Sequence, residues 1–201
     1  MKHVSVKICG ITTVEDAESV AHSGADFLGF IFAASRRRVD PGQARRIIRH
    51  LNGKRQSVGV FMDQPAGYVN RTASYCGLDY VQLHGKETPC YCSSMERPVI
   101  KRIDISSISE NDITSMVEKY RESADIFPLF DPGAQKSRSF DWSLVSQQDY
   151  PYFLAGGLTP ENVVTAVAVS GTGYIDVCSG VEKEPGLKDI DKVSRLIKEI
   201  R

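Results

Sequence analysis

The sequence predicts a (β/α)8 barrel, one compact domain spanning residues 1–201. Three observations predict it. Eight short β-rich runs alternate with helical stretches along the whole chain. Two glycine-bearing strand ends, Ala155-Gly156-Gly157-Leu158-Thr159-Pro160 and Asp176-Val177-Cys178-Ser179-Gly180, stand about one strand-plus-helix unit apart near the C-terminus. No Gly-x-Gly-x-x-Gly follows any of the runs, which removes the main support for a dinucleotide fold.

Each element has a local reason. The β-rich runs are 4–9, 27–32, 57–62, 79–83, 99–103, 126–130, 152–155 and 174–177. Helical patterns occupy 14–22, 42–51, 66–75, 113–121, 160–169 and 189–201, with shorter stretches at 87–95 and 142–147. Thr13 is placed to N-cap the first helix. Asp40-Pro41 is a cap followed by proline at the first helical position, and Thr159-Pro160 repeats that device. Strands that alternate with helices form parallel sheets with right-handed crossovers. Eight such units favour closure, and a repeat of about 25 residues sits near the lower size limit of the barrel.

Composition excludes several classes. Lysine plus arginine and aspartate plus glutamate number 25 each, so the chain carries no net charge and offers no polyanion-binding surface for a nucleic acid. No apolar run reaches the roughly 20 residues that span a bilayer, and Met1-Lys2-His3-Val4 enters a strand without a signal-peptide core. Five cysteines without paired spacing fit a reducing compartment, so the expected location is cytoplasmic. Cys90-x-Cys92 has no second pair to complete a metal site, and His3, His22 and His50 read as surface or helix residues.

In such barrels the functional groups sit where strands end, on the C-terminal rim. Reading those ends gives Cys9, Phe32 with Arg36–Arg38, Met62-Asp63, Gln82 with His84, Lys101-Arg102, Asp131, Gly156-Gly157, and Asp176 with Ser179-Gly180. Backbone N–H groups at the two glycine turns suit a phosphate dianion, so the expected ligand is a phosphorylated small molecule. One thiol, two carboxylates and several cations around a phosphate point to acid–base chemistry on a sugar phosphate. Cysteine on a strand is more often plain packing, and aspartate before proline often only begins a turn; the rim positions of Cys9 and Asp131 argue for chemistry instead.

Lys7-Ile8-Cys9-Gly10-Ile11-Thr12, the run from Gly24 to Phe32, Val58-Gly59-Val60-Phe61 and Val81-Gln82-Leu83-His84-Gly85 resemble the phosphoribosylanthranilate isomerase family. So do the run from Leu154 to Asn162 and the run from Asp176 to Glu182. The resemblance implies a cofactor-independent Amadori rearrangement of N-(5-phosphoribosyl)anthranilate to 1-(2-carboxyphenylamino)-1-deoxyribulose 5-phosphate, in tryptophan biosynthesis. It implies Asp131 as the general acid that opens the furanose ring and Cys9 as the general base at C2′. Arg37 matches the arginine that pairs with the anthranilate carboxylate, with Arg36 and Arg38 as neighbours. Gly156, Gly157, Ser179 and Gly180 would hold the phosphate, and Gln82, His84 and Asp176 would line the pocket. A monomer or a homodimer fits this reading. An isomerase of another aminoribosyl phosphate and a silent phosphate-binding paralogue are the alternatives.

Elementary chemistry agrees with those roles. A free thiol titrates near 8.5, and nearby cations raise its thiolate fraction. Lys7 lies two positions from Cys9, hence on the same pleat face, and is expected to supply that field and to border the substrate. An acid working near neutrality needs a raised pKa, expected for Asp131 from partial burial. The chain departs from the family in the glycine-poor stretch Pro132-Gly133-Ala134-Gln135-Lys136-Ser137-Arg138-Ser139, where Gly-Gly-Thr-Gly is usual, and in Cys178, which replaces a common serine.

Overall fold

In the computed structural model, eight parallel strands close into a barrel in chain order. The structure describes residues 3–105, 110–122, 124–133, 141–146 and 148–201, with the backbone alone at 110 and 111. The strands are β1 (Ser5–Cys9), β2 (Phe27–Ile31), β3 (Gln56–Phe61), β4 (Tyr80–Leu83), β5 (Val99–Asp104), β6 (Ile126–Asp131), β7 (Phe153–Leu154) and β8 (Tyr174–Val177). The seam closes where β8 pairs with β1 in the register Lys7↔Asp176 and Ile8↔Val177. All eight expected strands are there, with ends displaced by a residue or so.

The helices are α1 (Val14–His22), α2 (Pro41–Leu51), α3 (Ala66–Cys76), α4 (Pro89–Ser93), α5 (Glu110–Arg121), α6 (Val163–Ser170) and α7 (Ile190–Glu199). Thr13 Oγ1 accepts from the Asp16 N–H at 3.0 Å, and Asp40 Oδ1 accepts from the Gln43 N–H at 2.9 Å with Pro41 at the first turn, as the sequence predicts. Thr88-Pro89 opens α4 in the same way.

Three expectations differ. Thr159-Pro160 does not start α6. The helix begins at Val163, because the Asn162 side chain folds back, accepting from the Thr159 N–H at 2.8 Å and donating to the Gly157 carbonyl at 3.0 Å. The stretch at 142–147 forms only a 3-10 turn, Trp142–Val145. After β8 a second turn, Ser179–Val181, leads into a small antiparallel hairpin, β9 (Glu182–Glu184) with β10 (Leu187–Lys188), where the sequence shows no strand signal. The departure read in the stretch Pro132–Ser139 falls mostly on residues 134–140, outside the described residues.

Two apolar cores result from strand alternation. Outward residues such as Val6, Ile8, Leu28, Phe30, Val81 and Leu83 pack under the helices. Inward residues Val58, Ile100, Leu129, Phe153 and Ala155 fill the barrel, with Phe27, Tyr80, Phe127 and Tyr174 packed against them. These rings meet edge-on or tilted, as in Phe27–Tyr80 at 5.7 Å and Phe127–Tyr174 at 5.9 Å between centroids. Each strand then carries its period-2 row upward from that floor: Tyr80, Gln82, His84; Ile100, Arg102; Phe127, Leu129, Asp131; Tyr174, Asp176, Cys178. The aromatic plug closes the lower end, and the polar members of the same rows come out at the upper mouth.

Candidate active site

The mouth holds a cavity of about 510 Å³, within the usual range for a small-molecule site. Cys9, Arg37, Gln82, His84, Asp131 and Asp176 line it, and so do Gly156, Gly157, Ser179 and Gly180. Every catalytic, substrate-binding and phosphate-binding residue expected from the sequence is therefore on its wall except Lys7. Of the other strand-end residues, Phe32, Arg36, Arg38, Asp63 and Lys101 are not on it, and Lys101 is buried with its Nζ 2.7 Å from Glu87 Oε2.

Lys7 is fully buried and lies in the layer beneath, its Nζ 2.8 Å from Asp176 Oδ1. This pair joins the two strands at the barrel seam. Burial opposes the ammonium charge, yet Asp176 and Cys9 outweigh it and raise the Lys7 pKa, so it stays cationic. Gly29 gives Lys7 and Cys9 their room: a Cβ there would lie 2.8 Å from Cys9 Sγ and 3.0 Å from Lys7 Nζ. The field expected from Lys7 at Cys9 is thus built into the packing.

A larger influence on Cys9 comes from a residue that sequence reasoning passed over. Continuing the β1–β8 register sets Cys178 beside Cys9. The Cys178 thiol donates a hydrogen bond that is the strongest cause lowering the Cys9 pKa; burial opposes it, and Lys7 and Lys188 add to it. Cys9 consequently titrates at about 6 against an ordinary 9.0, and is thiolate at neutral pH. Cys178 shows the reverse: donating to the Cys9 thiolate, and being buried, it holds its own proton more tightly. Replacing Cys178 with alanine is expected to move the midpoint of Cys9 alkylation by iodoacetamide upward from about 6, with serine retaining much of the shift. An unchanged midpoint in the alanine variant would contradict this role.

Lys188 belongs to a network under Arg37. Its Nζ is 2.8 Å from Glu182 Oε1, and both side chains are buried. Glu182 also receives Arg37, whose Nε donates to both carboxylate oxygens (2.9 and 3.0 Å) and whose Nη2 donates to Oε2 at 2.6 Å. Burial would raise the Glu182 pKa, but Arg37 and Lys188 hold it below the ordinary range. The expected carboxylate-binding arginine is therefore gripped along one edge by the hairpin, and Nη1 takes no part in that fork.

Across the mouth, Gln82 Nε2 is 3.2 Å from His84 Nδ1, and His84 Nε2 is 3.4 Å from Asp131 Oδ2. With Gln82 donating into Nδ1, the ring carries its proton on Nε2, toward the carboxylate. The Gly133 N–H donates to Asp131 Oδ1 at 2.8 Å, and Arg102 Nε is 3.6 Å from Oδ2. Burial alone would raise the Asp131 pKa, as the sequence suggested. The hydrogen bonds from His84 and Gly133, with the charge of Arg102, reverse that and hold it below the ordinary carboxylate range. In this arrangement the candidate acid is an anion.

The two glycine turns pack against each other. Gly156 and Gly157 both have positive φ, 94° and 66°, which L-residues with side chains rarely adopt. A Cβ on Gly180 would overlap the Leu158 carbonyl, so only glycine allows that approach. No hydrogen bond among the described residues uses the N–H groups of Gly156, Gly157, Ser179 or Gly180. Four outward donors on adjoining turns suit a phosphate dianion. Among the described residues no group of three or more His, Cys, Asp or Glu is placed to hold a metal.

Comparison with known proteins decides the relationship. The family model described as N-(5'phosphoribosyl)anthranilate (PRA) isomerase matches residues 6–199. The chain belongs to this family. The N-(5'-phosphoribosyl)anthranilate isomerase of Geobacter metallireducens is 43% identical, with 97% of this chain and 98% of the relative covered. The isomerase structure from Thermotoga maritima superposes with a TM-score of 0.88 at 39% identity, covering 98% of each chain. A crystal structure of phosphoribosyl anthranilate isomerase in complex with reduced 1-(o-carboxyphenylamino)-1-deoxyribulose 5-phosphate superposes with a TM-score of 0.86, also at 39% identity and 98% of each chain. Within the PRA isomerase fold, the rim thiol and carboxylate read from the sequence share one cavity. Cys178, Glu182, Lys188 and Arg102 are the site neighbours that the sequence reading left without a role.

Proposed function

We propose that this chain isomerises N-(5-phosphoribosyl)anthranilate to 1-(2-carboxyphenylamino)-1-deoxyribulose 5-phosphate, with Cys9 as base and Asp131 as acid. Membership of the PRA isomerase family supports the reaction. The observation that carries the roles is that a Cys9 titrating at about 6 and the carboxyl of Asp131 line one cavity beside two glycine turns.

The 5′-phosphate would sit on the amides of Gly156-Gly157 and Ser179-Gly180. That anchors the ribose between β1 and β6. Asp131 gives a proton to the ring oxygen, the C1′–O bond breaks, and the nitrogen lone pair closes a Schiff base. The Cys9 thiolate removes the C2′ proton, and the electron pair flows into the iminium to give an enolamine. The enolamine then tautomerises: C1′ gains a proton and the C2′ hydroxyl loses one, which yields the ketose. Because the iminium accepts the electrons, a base titrating near 6 is strong enough. Lys7 and Cys178 hold Cys9 ionised, Gln82 orients His84, and Asp176 fixes Lys7 from the cavity wall. Arg37, steadied by Glu182, receives the aromatic carboxylate through the side of its guanidinium away from that fork.

No cofactor enters these steps. We further propose a single-domain cytoplasmic enzyme, a monomer or homodimer, with a small-molecule substrate and no nucleic-acid partner. Among the described residues no helix is long and apolar enough to cross a membrane. The purified chain is expected to turn over phosphoribosylanthranilate and to restore growth of a tryptophan auxotroph lacking the isomerase. Tight binding of the ribulose product without turnover would instead identify a silent binding paralogue.

A further inference from the structure

Among the described residues two guanidinium groups line the cavity, and they differ in what already holds them. Arg37 is forked onto a buried carboxylate that Lys188 also holds. Arg102, on β5, is buried along its length, with 15% of its side chain exposed, but is poorly satisfied. Its Nη2 is 3.2 Å from Asp104 Oδ2, a carboxylate more than half exposed, and 3.4 Å from the Asp131 carbonyl. Its Nε lies 3.6 Å from Asp131 Oδ2, too far for a hydrogen bond. Among the described residues that buried Nε has no hydrogen-bond acceptor. A buried guanidinium N–H without an acceptor is costly, and a planar carboxylate is the partner whose geometry fits its fork.

The barrel order says what would bring one. The phosphate turns follow β7 and β8, and the reacting carbons lie between Cys9 on β1 and Asp131 on β6. The aromatic end of the substrate therefore extends away from β7 and β8, toward the wall that Arg102 shares with His84. We propose that Arg102 is a specificity residue that binds the aromatic carboxylate of the substrate, and that this capture draws the guanidinium off Asp131. This assignment rests on the isomerase reading above.

The consequence concerns the acid. Asp131 faces His84 at 3.4 Å, Arg102 at 3.6 Å and the Gly133 N–H, and each favours the anion. Proton donation needs the neutral form. A carboxylate arriving on Arg102 removes one cation from Asp131 and places a negative charge nearby, and both changes favour a proton there. The acid is thus armed by the substrate that carries the carboxylate. Arg37 and Arg102 line the same cavity, and of the two it is Arg102 that lies beside Asp131.

The test compares kcat/KM for phosphoribosylanthranilate with that for its decarboxylated analogue, N-(5-phosphoribosyl)aniline. Wild-type enzyme is expected to prefer the carboxylated compound roughly 10²-fold, the scale seen when a buried charge loses its partner. Arg102→Met is expected to cut this preference about tenfold or more and to raise turnover of the aniline compound, since Asp131 is relieved of its cation. Arg102→Lys should restore part of the preference. Equal slowing of both substrates by Arg102→Met would show a merely structural role and overturn the proposal. So would an intact preference in Arg102→Met alongside its loss in Arg37→Met. Wild-type enzyme that turns over neither compound would remove the isomerase reading, and this assignment with it.

Discussion

Replacing Cys9 with alanine is expected to lower kcat by roughly 10²–10⁴-fold, the contribution of a positioned general base. At about 1.4 kcal/mol per decade, that is about 3–5 kcal/mol of transition-state stabilisation. The site is built around the thiolate: Gly29 gives it space, Lys7 lies beneath it and Cys178 donates to it. The four N–H groups expected to hold the phosphate belong to other residues, Gly156, Gly157, Ser179 and Gly180. Affinity for the ribulose phosphate product, measured by calorimetry, should therefore change little in the variant. Turnover close to wild type would remove Cys9 from the chemistry. Serine is a weaker test of packing but a sharper one of acidity. Its hydroxyl occupies the place yet stays protonated at neutral pH, so Cys9→Ser should be nearly as slow.

Asp131→Asn is expected to lose turnover on the same 10²–10⁴-fold scale, for a different step. The amide keeps the shape and can accept from the Gly133 N–H, the bond Asp131 Oδ1 makes at 2.8 Å. It has no proton to give to the ring oxygen. Ring opening should become limiting, and single-turnover traces should show no Schiff-base or enolamine intermediate accumulating before the block. In Cys9→Ala the block falls after ring opening. Identical intermediate patterns in the two variants would contradict the division of labour between thiol and carboxyl.

The fold was legible because each strand and helix carries its own signal. Tyr174-Ile175-Asp176-Val177 is apolar enough to be a strand, and Thr13 and Asp40 are caps with a mechanism. The rim position of Cys9, Asp131 and the glycine turns follows from where those strands end. Most of what was missed depends on contacts between residues far apart in the chain. Lys188 stands just before the helical pattern at 189–201 with no signal of its own, and the hairpin with β9 turns its ammonium inward onto Glu182. Cys178 reads only as a replacement of a common serine, and its role appears when β8 closes against β1. Asp131 was expected to have a raised pKa from burial. Burial is there, but hydrogen bonds from His84, on another strand end, and from the Gly133 N–H, with the charge of Arg102 on β5, reverse the sign. Thr159-Pro160 has the residues of a helix start, yet the Asn162 side chain satisfies the Thr159 N–H first and delays α6 to Val163.

The most direct measurement is a crystal structure of this chain with a non-hydrolysable reduced analogue of the ribulose phosphate product. The phosphate is expected on the N–H groups of Gly156, Gly157, Ser179 and Gly180. Cys9 Sγ is expected about 3.5 Å from the carbon equivalent to C2′, with the Asp131 carboxyl on the opposite side of the sugar chain. A phosphate bound elsewhere on the rim, or a sugar whose C2′ faces away from Cys9, would contradict the account.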